Sequence, residues 1–390
     1  MGRKFARYWR YIIKVLYVWA DTPREMNCSI HNCFNPKDAI NKSGTHTADA
    51  IFIDDFIRNE PETQKKVEQA DIVIIERNLF QDALTMLMWW KVRGANIGLC
   101  WDDGYPVIHH KNPAYPFWQH GEMRLANEKG EEFTAYMNPK PLQQMGWACR
   151  EAKGLQSVSQ AICDQWSHLT DTYLIHNHLV IDRYIDIQPL HPHDKNEIWI
   201  GWTGSLSHVD SFESSGLLRA YRKVLKKFPN VKVLISGDKK IFDNLDVPAN
   251  KKMFSGFVPA EQYPGLIKSL DICTIPLYGE YDKCRSQIKP LECLALKVPF
   301  IATNFPNYNH LNPYGTFTEN GWQNWENAIT DAIENLPKYQ EKSNEVGYQF
   351  ALTQDIDLHV DERIAVYQKM IDKPYGDWKK PENKEEEWII

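Results

Sequence analysis

The chain has 390 residues, with 45 Lys and Arg against 51 Asp and Glu, for a formal net charge of −6. That length implies two or three domains at ~150 residues each, and 43% hydrophobic with 25% charged residues is an ordinary globular composition. The charge excludes a whole-protein attraction to nucleic acid or anionic membrane.

No apolar run reaches the ~18 residues of a membrane span. The basic start, with Arg3, Lys4, Arg7 and Arg10, leads into an apolar run at 15–20 that lacks a small-residue cleavage pattern. The expectation is therefore a cytoplasmic protein with no integral membrane segment. Eight cysteines occur singly and none forms C-x-x-C, which fits reduced thiols. The 14 Trp and 18 Tyr suit sugar recognition, as flat apolar faces do.

In chain order, short apolar runs alternate with amphipathic segments, the pattern of βαβ units. Strands are expected at 14–19, 71–76, 97–101, 155–159 and 173–176. Helices are expected at 61–70, 84–92 and 142–152, the second closed by Gly94. Between them, the segment from Asp102-Asp103-Gly104 to about Trp118 is rich in Pro, His and Tyr and reads as irregular. Two prolines mark 188–196 as a linker. The alternation then restarts, with strands at 197–202, 231–236, 251–257, 272–276 and 299–303. Helices are expected at 211–227, 263–269, 290–295 and from 322 onward. Two such blocks imply two doubly wound domains facing a central cleft. The boundaries are 1–190 for the N-terminal Rossmann-like domain and 191–355 for the C-terminal one. A helix at 356–373 would cross back to the first domain, and 374–390 is a charged tail.

Three segments of the C-terminal block carry chemistry. Trp202-Thr203-Gly204-Ser205 runs from a strand into Gly-Ser, where backbone can approach a phosphate; an ordinary turn reads the same way. Ile235-Ser236-Gly237-Asp238 has the same form, and a solvated turn is an equal reading. The third is Arg285-Ser286-Gln287-Ile288-Lys289-Pro290-Leu291-Glu292. Proline is tolerated chiefly in a helix's first turn, so Pro290 puts the helix start near 286–289. Free N–H groups, the positive dipole end, Arg285 and Lys289 together make a diphosphate site. Glu292, three residues after Lys289, shares its face and can accept ribose hydroxyls. A surface salt-bridge cluster is the plain alternative.

With these residues, the C-terminal half resembles the retaining glycosyltransferases of family 4, which have the GT-B fold. The matching positions are Trp202, Gly204, Ser205, His208 and Asp210, then Pro276-Leu277, Asp282, Arg285-Ser286, Lys289, Leu291-Glu292, Ala295 and Pro299. The N-terminal half resembles the same subgroup more loosely, through Ala70-Asp71-Ile72-Val73, Arg77, Gly94, Asp102-Asp103, Asn112-Pro113 and Asn177. The resemblance covers most of 65–305. It implies a nucleotide-diphosphate sugar donor, UDP- or GDP-linked, on the C-terminal domain. Glu292 would take the ribose, and Ser286, Arg285 and Lys289 the diphosphate, with Gly204-Ser205 opposite and His208 and Gly237 beside it. The base would pack by Phe257 and Val258.

The subgroup's usual Asn and Lys are Asp282 and Arg285 here, and its usual second Glu, eight positions before Glu292, is Cys284. Glu280 is the candidate to replace that acid. Arg285, Lys289 and Glu280 are thus the candidate catalytic residues, and no cofactor or metal is implied. The acceptor would enter from the first domain, near Asp102, Asp103 and His109. Asp102-Asp103 as a metal pair is disfavoured by its D-D spacing.

The expected reaction is hexosyl transfer with retention to an acceptor hydroxyl, a glycan by default. A modified DNA base, a nucleotide-sugar epimerase or phosphorylase, and a non-catalytic sugar-binding protein are the rival readings.

Overall fold

The computed structural model describes residues 12–22, 28–237 and 239–376. The basic start at 3–10, Asp238 and the tail beyond 376 lie outside the described residues.

The N-terminal domain is built on a six-stranded sheet. Its first four strands are β1 (Lys14–Trp19), β2 (Thr47–Phe52), β3 (Ile72–Glu76) and β4 (Ile97–Trp101). An antiparallel hairpin follows, of β5 (Glu122–Ala126) and β6 (Glu132–Tyr136). Then β7 (Leu155–Ser157) and β8 (Thr172–Leu174) complete the sheet in the order β2-β1-β3-β4-β7-β8, with parallel pairing throughout. The central strands β3 and β4 are buried along their whole length, as strands covered on both faces must be. Edge strand β2, Thr-Ala-Asp-Ala-Ile-Phe, has only one buried residue. That polar content is why its sequence gives no strand signal.

The C-terminal domain repeats the plan with β9 (Ile198–Gly204), β10 (Val231–Gly237), β11 (Lys252–Ser255), β12 (Ile272–Ile275), β13 (Phe300–Thr303) and β14 (Thr316–Thr318). Their order is β11-β10-β9-β12-β13-β14, again parallel. The single helix expected at 211–227 is two helices, Val209–Ser214 and Leu217–Lys227. The break is Gly216, at φ +88°, where a Cβ would lie 2.6 Å from the Trp322 nitrogen. The irregular segment after β4 holds a short helical turn at Tyr105–Val107 and a helix at Tyr115–His120.

The chain crosses between domains twice at one place. Leu179 donates to Gln354 at 2.9 Å and accepts from Ile356 at 2.7 Å. Beyond it, the helix Val360–Asp372 lies on the first domain: Val360, Ile364, Tyr367 and Met370 share a core with Ile13, Val15, Tyr17 and Ile72. Tyr375 continues this docking, accepting from the Ile97 N–H at 3.0 Å. Tyr281 and Cys284 of the second domain pack into the core of the first, so the two sheets face each other across a tight seam. All eight cysteines are free thiols. No helix among the described residues is long and apolar enough to cross a membrane.

Candidate active site

Both sheets point the carboxyl ends of their strands at the seam, the side on which open α/β sheets hold ligands. On the C-terminal side this edge is mostly backbone. Gly204 and Gly237 lie opposite each other at the ends of β9 and β10. Gly237 has φ +104°, and a Cβ there would sit 1.7 Å from the Gly204 oxygen, so only glycine fits.

The facing helix runs Ile288–Ala295, with Pro290 as its third residue. Ser286 Oγ accepts from the Ile288 N–H at 3.1 Å, and Asn177 of the first domain donates to the same oxygen at 3.3 Å. The first turn is thus capped by a hydroxyl, which leaves a replaceable partner at the positive end. Lys289 donates its Nζ to the Thr203 carbonyl and sits 5.2 Å from the centre of the Trp202 ring. One turn on, Glu292 is buried and accepts from the Tyr184 hydroxyl at 3.0 Å. Burial pushes the Glu292 carboxyl up to about 7, with Tyr184 and Lys289 pulling the other way. Burial also lowers the Lys289 ammonium, against the pull of Glu292. The two charges share a poorly hydrated pocket with few partners.

Arg285 is more heavily engaged. Its guanidinium reaches Asp282 at 3.3 Å, Asp103 of the first domain at 3.2 Å and Ser207 Oγ at 3.0 Å, and lies 4.5 Å over the Tyr281 ring. Asp282 is turned inward, accepting from Ser211 at 2.6 Å and from the Tyr278 N–H at 2.7 Å. Its carboxylate is therefore held off any phosphate position. His208 meets Trp202 edge-on at 5.7 Å, and its Nδ1 is buried without a hydrogen-bond partner. Burial, then Arg285 and Lys289, hold this imidazole well below its ordinary range, so it is neutral. Ser205 bonds Ser207 at 2.8 Å.

The remaining expected residues lie further out. Phe257 is 73% exposed, whereas Val258 packs against the domain core. Glu280 points to solvent and pairs with Lys283 at 2.6 Å. Cys284, in the place of the second acid, is buried against Gly104 and receives a hydrogen bond from Gln165 at 3.3 Å. That position is spent on the domain seam.

The N-terminal edge is built from side chains. Glu76, fully buried at the end of β3, accepts from Asn32 at 3.0 Å, from the Ala20 N–H at 2.9 Å and from Ser29. Burial, then Asp102, pushes it up to about 7. Asp102 accepts from Asn32 at 3.0 Å and from Tyr105 at 3.2 Å. Arg77 pairs with Asp21 and stands 3.8 Å from Asp102. Positive φ at Arg77, Asn78 and Gln81 marks the turn after β3 as strained backbone, a feature that collects at functional sites. His109 lies at the rim, 3.5 Å from Asp210, beside Lys111, which pairs with Asp210 and Glu213.

Between the two edges is a cavity of about 340 Å³, bordered by Asp21, Arg77, Asp103, Trp118, Ser207 and Tyr281 among others. Sequence reasoning missed Glu76, Tyr184 and Trp118. Glu76 had a signal, as a carboxylate closing an apolar strand run; Tyr184 and Trp118 had none. Among the described residues one group could hold a metal, His178, His359 and Glu362, and it lies at the crossing point rather than here. Its imidazoles stack 3.6 Å apart at 10°, a geometry in which the two ring planes do not meet at a shared ion.

Residues 197–337 match the family model described as Glycosyl transferases group 1. None of the curated protein sequences matches the chain. Among solved structures, HepE of Anabaena in complex with UDP and glucose aligns with a TM-score of 0.60 at 14% identity, over 91% of this chain and 99% of that one. Sucrose-phosphate synthase of Thermosynechococcus elongatus aligns at 0.57 and 11%, over 92% and 99%. The trehalose-6-phosphate synthase OtsA aligns at 0.57 and 11%, also over 92% and 99%. At such identities the likeness establishes architecture, two parallel-sheet domains in the GT-B arrangement. The chain thus has the GT-B fold, and its residues 197–337 are similar to the group 1 glycosyl transferases.

Proposed function

We propose that the chain moves a sugar from a nucleoside-diphosphate sugar to an acceptor hydroxyl, with retention and without a metal ion. The observation that carries this is the placement of Lys289 and buried Glu292 within one turn of each other at the start of the helix Ile288–Ala295, facing the glycine pair Gly204 and Gly237.

The chemistry follows from charge. Breaking the anomeric bond leaves an oxocarbenium-like sugar and a departing nucleoside diphosphate. Lys289 and the N–H groups of the first helical turn would take up the new negative charge. Donors fixed in advance where charge develops supply much of the rate enhancement in many enzymes. Glu292 would exchange the Tyr184 hydroxyl for the ribose diol. Arg285 joins if an incoming phosphate displaces Asp103. Retention fits attack from the face the leaving phosphate occupies, with a phosphate oxygen taking the acceptor's proton. The solved HepE complexes contain UDP and UDP-glucose, which supports a UDP-linked donor first. A glycan acceptor is favoured over a DNA base because carboxylates border the cavity.

A specific observation also favours a non-catalytic reading: Glu280 is paired in solvent and Cys284 is locked in the seam, so neither supplies a second acid at the site. A thermal-shift series with UDP-, GDP-, ADP- and dTDP-sugars, followed by donor hydrolysis, separates the two. Stabilisation by one donor with slow hydrolysis, both lost in Lys289→Ala, supports the transferase. Stabilisation with no turnover under any acceptor leaves a binding protein, and no stabilisation at all overturns both readings.

A further inference from the structure

We infer that the cavity between the two sheet edges takes an uncharged sugar ring, either free or as the terminal unit of a glycan, and rejects sugar phosphates. This rests on the donor reading above, whose acceptor it specifies.

The cavity's size comes first. At about 340 Å³ it stands near the small end of ligand pockets, which run from roughly 300 to 1,000 Å³. One sugar ring fits such a volume, and a longer glycan would leave through the rim. One wall is aromatic. Tyr105 and Trp118 stack with centroids 4.0 Å apart at 29°, and Trp118 borders the space together with Ile108 and Ala114. The C–H face of a pyranose packs on a surface of this kind. The lining also includes Asp21, Asp103, Asn78 and Asn112, acceptors and amides that match a ring of hydroxyls.

Charge decides the class. Among the described residues, four carboxyl groups, those of Asp21, Asp102, Asp103 and Asp282, flank two guanidiniums, Arg77 and Arg285, and Asp21 and Asp103 border the cavity itself. Arg77 lies between Asp21 and Asp102, and Arg285 between Asp103 and Asp282. Among the described residues these carboxyl groups outnumber the guanidiniums two to one. The basic side chains at the rim are also engaged, Lys111 with Asp210 and Glu213 and His109 with Asp210. A phosphate entering here meets two guanidiniums that are each already flanked by two carboxylates. Hydroxyls, by contrast, donate to those carboxylates and disturb no ion pair. The penalty on a phosphorylated ring corresponds to roughly a hundredfold in affinity, given like charges a few ångströms apart in a partly dry site.

Saturation-transfer NMR on the full chain, with UDP present, tests this directly. The probes are glucose, methyl glucoside, N-acetylglucosamine and cellobiose, each compared with glucose 6-phosphate. Neutral sugars should bind, and glucose 6-phosphate should bind about a hundredfold more weakly. Cellobiose or methyl glucoside outperforming glucose identifies the terminal unit of a glycan, and the reverse identifies a free sugar. Thr22→Lys, at an exposed position on the cavity wall, adds a cation without touching the ion pairs. It should narrow the gap about tenfold. Glucose 6-phosphate binding as tightly as glucose in the wild type overturns the inference, as does the absence of any neutral-sugar signal. Failure of the donor reading shows separately in the same spectra, as no signal from UDP.

Discussion

The two domains share one plan, a six-stranded parallel sheet with its carboxyl edge on the seam, yet they furnish that edge by opposite means. The C-terminal edge presents backbone and cations: the glycine pair at β9 and β10, a helix start, and Lys289. The N-terminal edge presents carboxyl side chains in a buried network of Asp21, Glu76 and Asp102 around Arg77. Backbone N–H groups with cations select an anion, whereas carboxylates select hydroxyls. Under the proposed function, one architecture would hold the two halves of a transfer reaction, with the diphosphate on one side and the sugar hydroxyl on the other.

That division can be broken from either side. The largest effect belongs to Lys289→Ala, which removes the cation at the helix start that donates to a carbonyl rather than to a carboxylate. Donor kcat/KM should fall about 100- to 1,000-fold, ~3–4 kcal/mol, as for other preorganised charge partners. A loss under tenfold in steady-state kinetics would move the anion site elsewhere. Next is Gly237→Ala. Its Cβ would collide with the Gly204 oxygen at positive φ, costing about 2 kcal/mol or more of stability, read as a lower denaturation midpoint. An unchanged midpoint would show that the two loops are looser than the β9–β10 register implies.

Glu292→Gln sharpens the comparison through pH. In the wild type the buried acid titrates near 7, and a ribose diol favours its ionised form. Nucleotide affinity should therefore climb with pH towards 7, by at most about tenfold per unit, and flatten above it. The variant should show no such slope in calorimetry, and a slope that persists would assign it to another group. The stability sign runs the other way. Glu76 and Glu292, both raised, hold protons in the folded chain that the unfolded chain has released. Their contribution to stability thus falls as pH rises from the ordinary carboxylate range to about 7.

The smallest effect is that of Asp103→Asn, which severs the Arg285 pair across the seam. Stability should fall by about 1 kcal/mol, because the pair is largely buried but Arg285 keeps Asp282 and the amide oxygen still accepts. Freed of one acid, Arg285 should bind UDP equally well or a few-fold more tightly. Weaker binding would put Asp103 on the donor side and erase the division.

The elements of the proposed donor side were largely legible because they are local in sequence. Pro290 marks a helix start, and Lys289 and Glu292 lie within one turn of it. Gly204 and Gly237 close apolar strand runs. The acceptor side was not, because its parts come from distant segments: Asn32 meets Glu76 and Asp102, and Trp118 meets Tyr105, only once the sheet has formed. Strand β2 was hidden by its polar edge position, and the break at Gly216 by its dependence on Trp322. Arg285 shows the limit of local reading. Its place beside the helix start was clear from the sequence, but not its two carboxylate partners.

A crystal structure of the chain with UDP tests the central claim most directly. The diphosphate should sit within hydrogen-bond reach of Lys289 Nζ and the first turn of the helix Ile288–Ala295, with the ribose diol on Glu292 and Tyr184 displaced. UDP bound against the N-terminal edge, or a Glu292 still joined to Tyr184 with the nucleotide elsewhere, would contradict it.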